Sequence, residues 1–452
     1  MSNISANSSV ICRFAPSPTG FLHIGNIRTA IINYLFAKKH GGKFMLRFDD
    51  TDFERVKDEY RHMIIKDMVW LGLNHDGAII KQSERLEIYE VAKKKLIQNG
   101  RIYECYETAE ELEFQRKVQI SSGQRPIYDR SALNLTAEQK EHYRFEGRKP
   151  YWRFLLHDKT TSWPDRIKGE IKFAGLHFSD PVIIRENDIP TYTFCSVVDD
   201  IEFGITDIIR GEDHVTNTAI QIQIFEALDA AKPNFSHLGL IQASSGKISK
   251  REGGFDIKSL REEGFEALSI VNLLAQIGVS GNLEICPDMQ DLIDKFNLNS
   301  YSKSATNYNL DELKNINHKL LQVLPFKEVQ KSLKEIRIEE EIDENFWQSV
   351  KANLNFLSEI KDWIEICKKP LRYPNSKEDH EFLISTKAFL PEILDENAYQ
   401  KWIDKIKENS DRRGKELFQP IRLALTGKEH GPELKNLLPL IDRSEILARL
   451  SN

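Results

Sequence analysis

Two short segments carry residue types suited to polyphosphate chemistry. They are Pro16-Ser17-Pro18-Thr19-Gly20-Phe21-Leu22-His23-Ile24-Gly25-Asn26 and Lys247-Ile248-Ser249-Lys250-Arg251. The first reads as a Pro/Gly-stiffened loop that delivers a histidine and a glycine to a helix start. A helix N-terminus presents unpaired backbone N–H groups and positive partial charge, which suit phosphate. His23 can donate to a phosphate oxygen, and Gly25 leaves room for a flat base against the backbone. Pro16 and Pro18 keep the approach out of helical conformation. The second segment sits between Gly246 and Gly253-Gly254 and carries three cations able to close over a triphosphate. Each has a plainer reading, a capped helix and a solvated basic loop. Together they suggest one nucleotide site assembled from two distant pieces of chain.

Two further clusters lie where strands are expected to end. Arg47-Phe48-Asp49-Asp50-Thr51-Asp52 places three carboxylates at such an end, where open α/β sheets bind ligands. They could hold an ammonium group or ribose hydroxyls, or Asp50 and Asp52 could cap the next helix. In Asp207-Ile208-Ile209-Arg210-Gly211-Glu212-Asp213-His214, Arg210 can grip a carboxylate bidentately or pair internally with Glu212 or Asp213.

These residues need elements to position them. Val10–Phe14 reads as a strand, 25–40 as a helix closed by Gly41-Gly42, and Phe44–Phe48 as a second strand. This βαβ opening implies a parallel sheet. A helix follows with Ile64, Met68 and Leu71 on one face. From 89 to 190 the pattern loosens into helical stretches, turns and short strands such as Tyr151–Leu156, an inserted domain. Strand patterns return near Val197-Val198 and at Ile205–Arg210, then a helix at 218–228. Beyond Gly254 the chain turns helical, with no run of strands expected after about 300. The fold class is therefore an α/β Rossmann-type parallel-sheet domain with an α+β insertion, followed by a mostly α-helical C-terminal region. Boundaries are expected at 1–88 and 191–245 for the sheet domain, 89–190 for the insertion, 246–325 for a loop and helical domain, and 326–452 for the helical region.

The 452 residues exceed one ordinary core, and 40% hydrophobic with 29% charged residues is a globular composition. A net charge of -6 excludes a globally basic nucleic-acid binder but not a local basic face. Five scattered cysteines without a CxxC pair argue against a disulfide framework and suit a reducing compartment. No signal-peptide pattern opens the chain and no apolar run approaches a membrane span. A cytoplasmic monomer with no membrane association is expected.

The joint pattern resembles the class I aminoacyl-tRNA synthetases. Pro-Ser-Pro-Thr-Gly-x-x-His-Ile-Gly is similar to their first signature and Lys247–Arg251 to their second. Phe14–Gly20, Arg47–Asp52, Val198-Asp199-Asp200, Ile209–Asp213 and Lys247–Arg251 follow the order of the glutamyl-tRNA synthetases. Leu417–Gly427 resembles the last helical domain of the bacterial form. The resemblance implies ATP-dependent formation of glutamyl-adenylate, transfer of the glutamyl group to tRNA(Glu), and activation that depends on bound tRNA. tRNA(Gln) is a candidate second acceptor. It also implies an anticodon-binding role for 326–452 and an acceptor-binding role for 89–190.

By that resemblance His23, Lys247 and Lys250 are catalytic, stabilising the α-phosphate and pyrophosphate. Pro16, Thr19, Gly20, His23, Gly25, Asn26, Lys247, Ser249, Lys250 and Arg251 form the ATP site, with Mg2+ arriving on ATP. Arg13 and Arg210 read the glutamate side-chain carboxylate, and Ser17, Asp49 and Tyr192 hold its amino end. Ala15 and Ser196 complete the pocket. The chain departs from relatives at Asn26, Ile248, Arg251, Asp49 and Ser196. Some relatives bind zinc in the insertion, but Cys105 has no second cysteine nearby, so no structural zinc is expected. Aromatics interleaved with cations, as in Phe346-Trp347, Trp363 and the basic run Arg412-Arg413-Gly414-Lys415, are candidates for stacking and gripping tRNA, or are ordinary helix packing. Glutaminyl-tRNA synthetase, a tRNA-modifying paralogue, a tRNA-independent nucleotidyltransferase and a non-catalytic RNA-binding homologue are the competing readings.

Overall fold

The computed structural model describes residues 9–175, 178–243, 256–374 and 376–451. The chain divides into two units. The first is Met1–Leu260 with Val271–Asn309, and the second is Arg261–Ile270 with Leu310–Asn452.

The first unit opens as expected. β1 (Ile11–Phe14) leads through α1 (Ile24–Lys39) to β2 (Lys43–Phe48), and β1 pairs with β2 in parallel from Ile11↔Lys43 to Phe14↔Leu46. The return is tight: a Cβ on Gly42 would lie 2.2 Å from the Val10 carbonyl oxygen, so only glycine fits. α2 (Asp58–Trp70) follows and buries Ile64 and Met68. Its N-cap is Lys57, without a side-chain cap, so neither Asp50 nor Asp52 serves as the expected cap. β3 (Ile80–Lys81) extends the sheet in parallel beside β2, and α3 (Leu86–Gln98) follows.

β4 (Ile102–Cys105), α4 (Ala109–Ser121), α5 (Ala137–Phe145) and β5 (Tyr151–Phe154) come next. Both helices begin with complete capping boxes, Thr108 with Glu111 and Thr136 with Gln139, which explains their sharp starts among turns. After the antiparallel pair β6 (Thr160–Asp165) and β7 (Gly169–Ala174), β8 (Val182–Ile184) joins β4 and β5 in an antiparallel sheet. α6 (Tyr192–Glu202) replaces the strand expected at Val197-Val198. The β-branched pair misled: Phe194, Cys195, Val197, Val198 and Ile201 recur at helical spacing and pack on one core.

β9 (Asp207–Gly211), α7 (Val215–Ala227) and β10 (Asn234–Leu238) follow, and the two strands belong to a second, four-stranded sheet. β9 pairs in parallel with β10, and Thr206 ties it to β1 by N–H donation to the Ile11 carbonyl at 3.0 Å. The β6–β7 hairpin, from the stretch expected to be an insertion, contributes to this sheet through the pairing of β6 with β10. β11 (Ile241–Ala243) pairs in parallel with β12 (Thr306–Tyr308), a short strand that falls after the point where none was expected. Between them lie α8 (Ile257–Glu262), α9 (Ala267–Gln276) and α10 (Met289–Lys295).

The second unit is helical: α11 (Leu310–Val323), α12 (Phe326–Glu335), α13 (Glu344–Val350), α14 (Ile360–Lys368), α15 (Lys377–Thr386), α16 (Ala398–Asn409), α17 (Gly414–Thr426) and two shorter turns of helix. Phe346, Trp347 and Trp363 are buried in its core, so they serve packing and are not stacking platforms. Arg412 donates to Asp379 at 2.5 Å and lies over the Phe382 ring, while Arg413 donates to backbone carbonyls of Lys407, Ser410 and Arg412. Among the described residues no helix is long and apolar enough to cross a membrane. All five cysteines are free and buried.

Candidate active site

The first signature segment leaves β1 as a loop fixed by main-chain bonds. Thr19 N–H donates to the Ser17 carbonyl at 2.8 Å, Asp49 N–H to Pro16 at 3.1 Å, and Lys57 N–H to Pro18 at 3.2 Å. Prolines have no N–H, yet their carbonyls remain free to accept, so the loop is held by the acceptors of the residues that shape it. Ser17 is exposed; Ala15, Thr19, Gly20, Gly25 and Asn26 are half-buried.

His23 is the N-cap of α1. Its Nδ1 accepts from the N–H groups of Gly25 at 3.1 Å and Asn26 at 3.4 Å. An accepting Nδ1 assigns the proton to Nε2, which leaves an N–H donor on the exposed edge of the ring. Loss of solvation lowers the His23 pKa from the usual imidazole value, consistent with a neutral ring. A Cβ on Gly25 would stand 3.1 Å from His23 Cε1 and Nδ1, so this glycine also makes room for the capping ring.

Lys247, Ser249, Lys250 and Arg251 fall in residues 244–255, outside the described residues. Described residues on either side of that stretch meet α1 or the loop before it. On one side, buried Arg28 of α1 donates to the Gly239 carbonyl at 2.8 Å and the Ile277 carbonyl at 3.0 Å. On the other, Asp256 forms an antiparallel bridge with His23, and Ile257 N–H donates to the Leu22 carbonyl at 3.1 Å. Asp256 and Ile257, the first described residues after that stretch, thus lie beside His23 and Leu22.

Beside this lies a buried lattice of charge. Arg13 donates twice to Asp200, from Nε at 3.1 Å and Nη2 at 3.2 Å. Arg47 donates to Asp200 at 2.8 Å, to Asp49 at 2.7 Å and to Ser196 Oγ at 3.2 Å. Burial pushes the Asp49 pKa up to about 6, with Arg47 opposing. Asp50 instead accepts from Ser83 N–H and Oγ and from Arg61, while Asp52 sits 3.9 Å from Arg55. The three carboxylates therefore diverge, and only Asp49 joins the lattice.

Arg210, on β9, is different. Its Nη1 donates to the Tyr192 hydroxyl at 3.1 Å, and its Nη2 to Thr218 Oγ1 at 2.6 Å and Gln221 Oε1 at 2.7 Å. It pairs with neither Glu212 nor Asp213. Glu212 accepts from Lys168 and from Leu240 N–H, and Asp213 lies 3.8 Å from His214. The Nε of Arg210 is buried without a partner among the described residues, and loss of solvation lowers the guanidinium pKa. His214, whose ring centroid is 5.7 Å from that of Tyr192, is pushed down to about 4 by burial and by Arg210, so it adds no charge.

Arg47, Asp200, Thr218 and Gln221 were not among the sequence candidates. An acidic pair inside the apolar helix α6 was a signal for Asp200, since a buried carboxylate requires a cation. Thr218 and Gln221 gave no local signal beyond lying three residues apart on a helix. An open cleft of about 880 Å³ lies elsewhere, bordered by Tyr106, Arg148 and Arg185, and no signature residue lines it.

Comparison with known proteins agrees with this geometry. Residues 9–315 match the class I tRNA synthetase (E and Q) catalytic domain, and 318–452 match an anticodon binding domain. Glutamate–tRNA ligase 1 of Rickettsia felis is 50% identical over 447 residues, covering 98% of this chain and 100% of its own. Glutamate–tRNA ligase 1 of Rickettsia bellii is 51% identical over 446 residues with the same coverage. The crystal structure of a glutamate tRNA ligase from Elizabethkingia meningosepticum in complex with its amino acid aligns with a TM-score of 0.84 at 26% identity, covering 98% of both chains. With both domains matched end to end and half of the residues shared, the chain belongs to the glutamyl-tRNA synthetases, class I aminoacyl-tRNA ligases.

Proposed function

We propose that the enzyme activates L-glutamate with MgATP and passes it to tRNA(Glu), activation requiring bound tRNA. In the first step a glutamate α-carboxylate oxygen bonds to the α-phosphorus, and the bond to pyrophosphate breaks. In the second, a terminal ribose hydroxyl of the tRNA bonds to the glutamyl carbonyl carbon, its proton passes to the departing phosphate, and the bond from that carbon to the phosphate oxygen breaks to release AMP. Such chemistry requires positioning and charge stabilisation more than a protein nucleophile.

The observation that carries the glutamate reading is Arg210: a buried guanidinium held by a tyrosine, a threonine and a glutamine, with an unpaired Nε and no carboxylate partner among the described residues. A ligand carboxylate supplies the missing anion, and a carboxamide does not. Arg13, whose Nη1 remains outside its bonds to Asp200, is the second reader. Ala15, Ser17, Asp49, Tyr192 and Ser196 complete the pocket. His23 Nε2, Lys247 and Lys250 serve the phosphates, with Pro16, Thr19, Gly20, Gly25, Asn26, Ser249 and Arg251 around the nucleotide. The segment 89–190 receives the acceptor end of the tRNA and 326–452 its anticodon.

Glutamate-dependent ATP–pyrophosphate exchange, run without tRNA and with tRNA(Glu) or tRNA(Gln), tests this reading. Exchange is expected only with glutamate and a tRNA present. Exchange driven by glutamine, or none under any condition, overturns it. Exchange and charging with tRNA(Gln) would mark it as a second acceptor.

A further inference from the structure

Behind Arg210 runs a chain of buried polar groups from three separate elements. Arg210 Nη2 donates to Thr218 Oγ1 on α7 at 2.6 Å. That hydroxyl lies 2.8 Å from Nε2 of His237 on β10. His237 Nδ1 in turn lies 2.5 Å from Oδ2 of Asp165, the last residue of β6. Thr218 and His237 are wholly buried and Asp165 is 4% exposed. The pairing of β6 with β10 at Asp165↔Phe235 sets these side chains in register.

The hydrogens can be placed by elimination. Asp165 Oδ1 accepts from the N–H groups of Ile167 at 3.0 Å, Lys168 at 2.8 Å and His237 at 3.2 Å. An oxygen collecting three donors belongs to an ionised carboxylate, so its partner oxygen takes the proton of His237 Nδ1. Burial, with the nearby Arg210 charge adding to it against Asp165, lowers the His237 pKa and keeps the ring neutral. Nε2 then carries a lone pair, and the Thr218 hydroxyl is the donor that faces it. The Thr218 hydrogen goes to this acceptor at 2.8 Å in preference to the His214 carbonyl at 3.2 Å, and toward Arg210 Thr218 then only accepts.

We infer that Asp165, His237 and Thr218 are positioning residues that fix the Arg210 guanidinium through a neutral acceptor and so set the preference for a carboxylate over a carboxamide. The chain orients the guanidinium with uncharged contacts while its fixed negative charge stays two groups away. Arg210 is held still without being neutralised. A carboxylate placed directly against it would hold it equally well but would compete with the ligand. This inference rests on the reading of Arg210 as the receptor of the glutamate side chain.

The test is steady-state aminoacylation with full-length enzyme, tRNA(Glu), ATP and glutamate, with glutamine as a competing substrate. Thr218→Val keeps the shape and removes the hydroxyl. It is expected to raise the KM for glutamate about tenfold while kcat and the KM for ATP change less than about twofold. Thr218→Ser, which restores a hydroxyl, should recover most of that loss. Asp165→Asn offers Nδ1 a donor, moves the ring proton to Nε2 and loads a second donor onto Thr218, so the KM for glutamate should rise about fivefold. Arg210→Gln is the control, expected to raise that KM at least about 100-fold. A raised KM in the control with no change in Thr218→Val overturns the positioning chain and leaves the glutamate site intact. An unchanged KM in the control overturns the site reading itself. Equal losses in kcat and both KM values for Thr218→Val and Thr218→Ser would reduce the chain to a scaffold and also overturn it.

Discussion

Arg47 and Arg210 end two nearby strands, are both buried, and have opposite surroundings. Arg47 lies among Asp49, Asp200 and Asp199; burial works against its charge and the carboxylates overcome it, so its pKa is raised. Arg210 meets a phenol, a hydroxyl and an amide, and burial lowers its pKa. A buried charge that is fully paired is part of the scaffold, whereas one held only by neutral dipoles is an incomplete ion pair awaiting an anion. The two arginines divide the labour: one lattice locks β1, β2 and α6 together, and the other site leaves its energy unspent until ligand arrives.

The comparison breaks if the two arginines respond alike to removal. Arg210→Gln should cost about 10,000-fold in kcat/KM for glutamate, measured by aminoacylation, while urea unfolding shows unchanged or slightly higher stability. Arg47→Met should behave oppositely at the level of folding. Stripping the cation from Asp49 and Asp200 is expected to cost about 3–5 kcal/mol in urea unfolding. Asp49 sharpens the boundary between the two regions. With its pKa near 6, it loses its charge as pH falls through 6, so the KM for glutamate should rise about fourfold between pH 7.5 and 5.5. Asp49→Asn should flatten that dependence. The sign for folding is reversed: the folded pKa exceeds the ordinary 3.8, so the stability contribution of this group falls as pH rises through that interval. The smallest effect belongs to Gly25→Ala, where the new Cβ presses on the His23 ring; a two- to threefold rise in the KM for ATP, roughly, is expected from the few tenths of an ångström the ring must yield.

Much of the fold was legible because its signals are local. Gly41-Gly42 closes α1, the short apolar-rich runs at Ile11–Phe14 and Phe44–Phe48 mark strands, and the helical periodicity beyond Gly254 is strong. The misses were also local in origin. Val197-Val198 reads as strand from β-branching alone, Asp50 and Asp52 look like caps because they precede a helix, and Trp347 and Trp363 sit beside cations in sequence yet in a core in space. In the candidate site, Arg13, Tyr192 and Arg210 were legible from strand ends and family pattern. What sequence left invisible was partnership: nothing along the chain links Asp165 to His237 or Arg13 to Asp200, because those pairings exist only once β6, β10, β1 and α6 are assembled.

The capping role of His23 has a consequence for proton traffic. A ring whose Nδ1 lone pair is occupied by two backbone N–H groups has no vacancy for an incoming proton unless the first turn of α1 gives up its cap. His23 is thereby a donor only and is barred from acting as a base. In the proposed reaction the attacking carboxylate is already an anion and asks for none, so this helix start gives up a function that the proposed activation step would not use. A pH profile of activation would then carry Asp49 and the substrates, with the histidine silent.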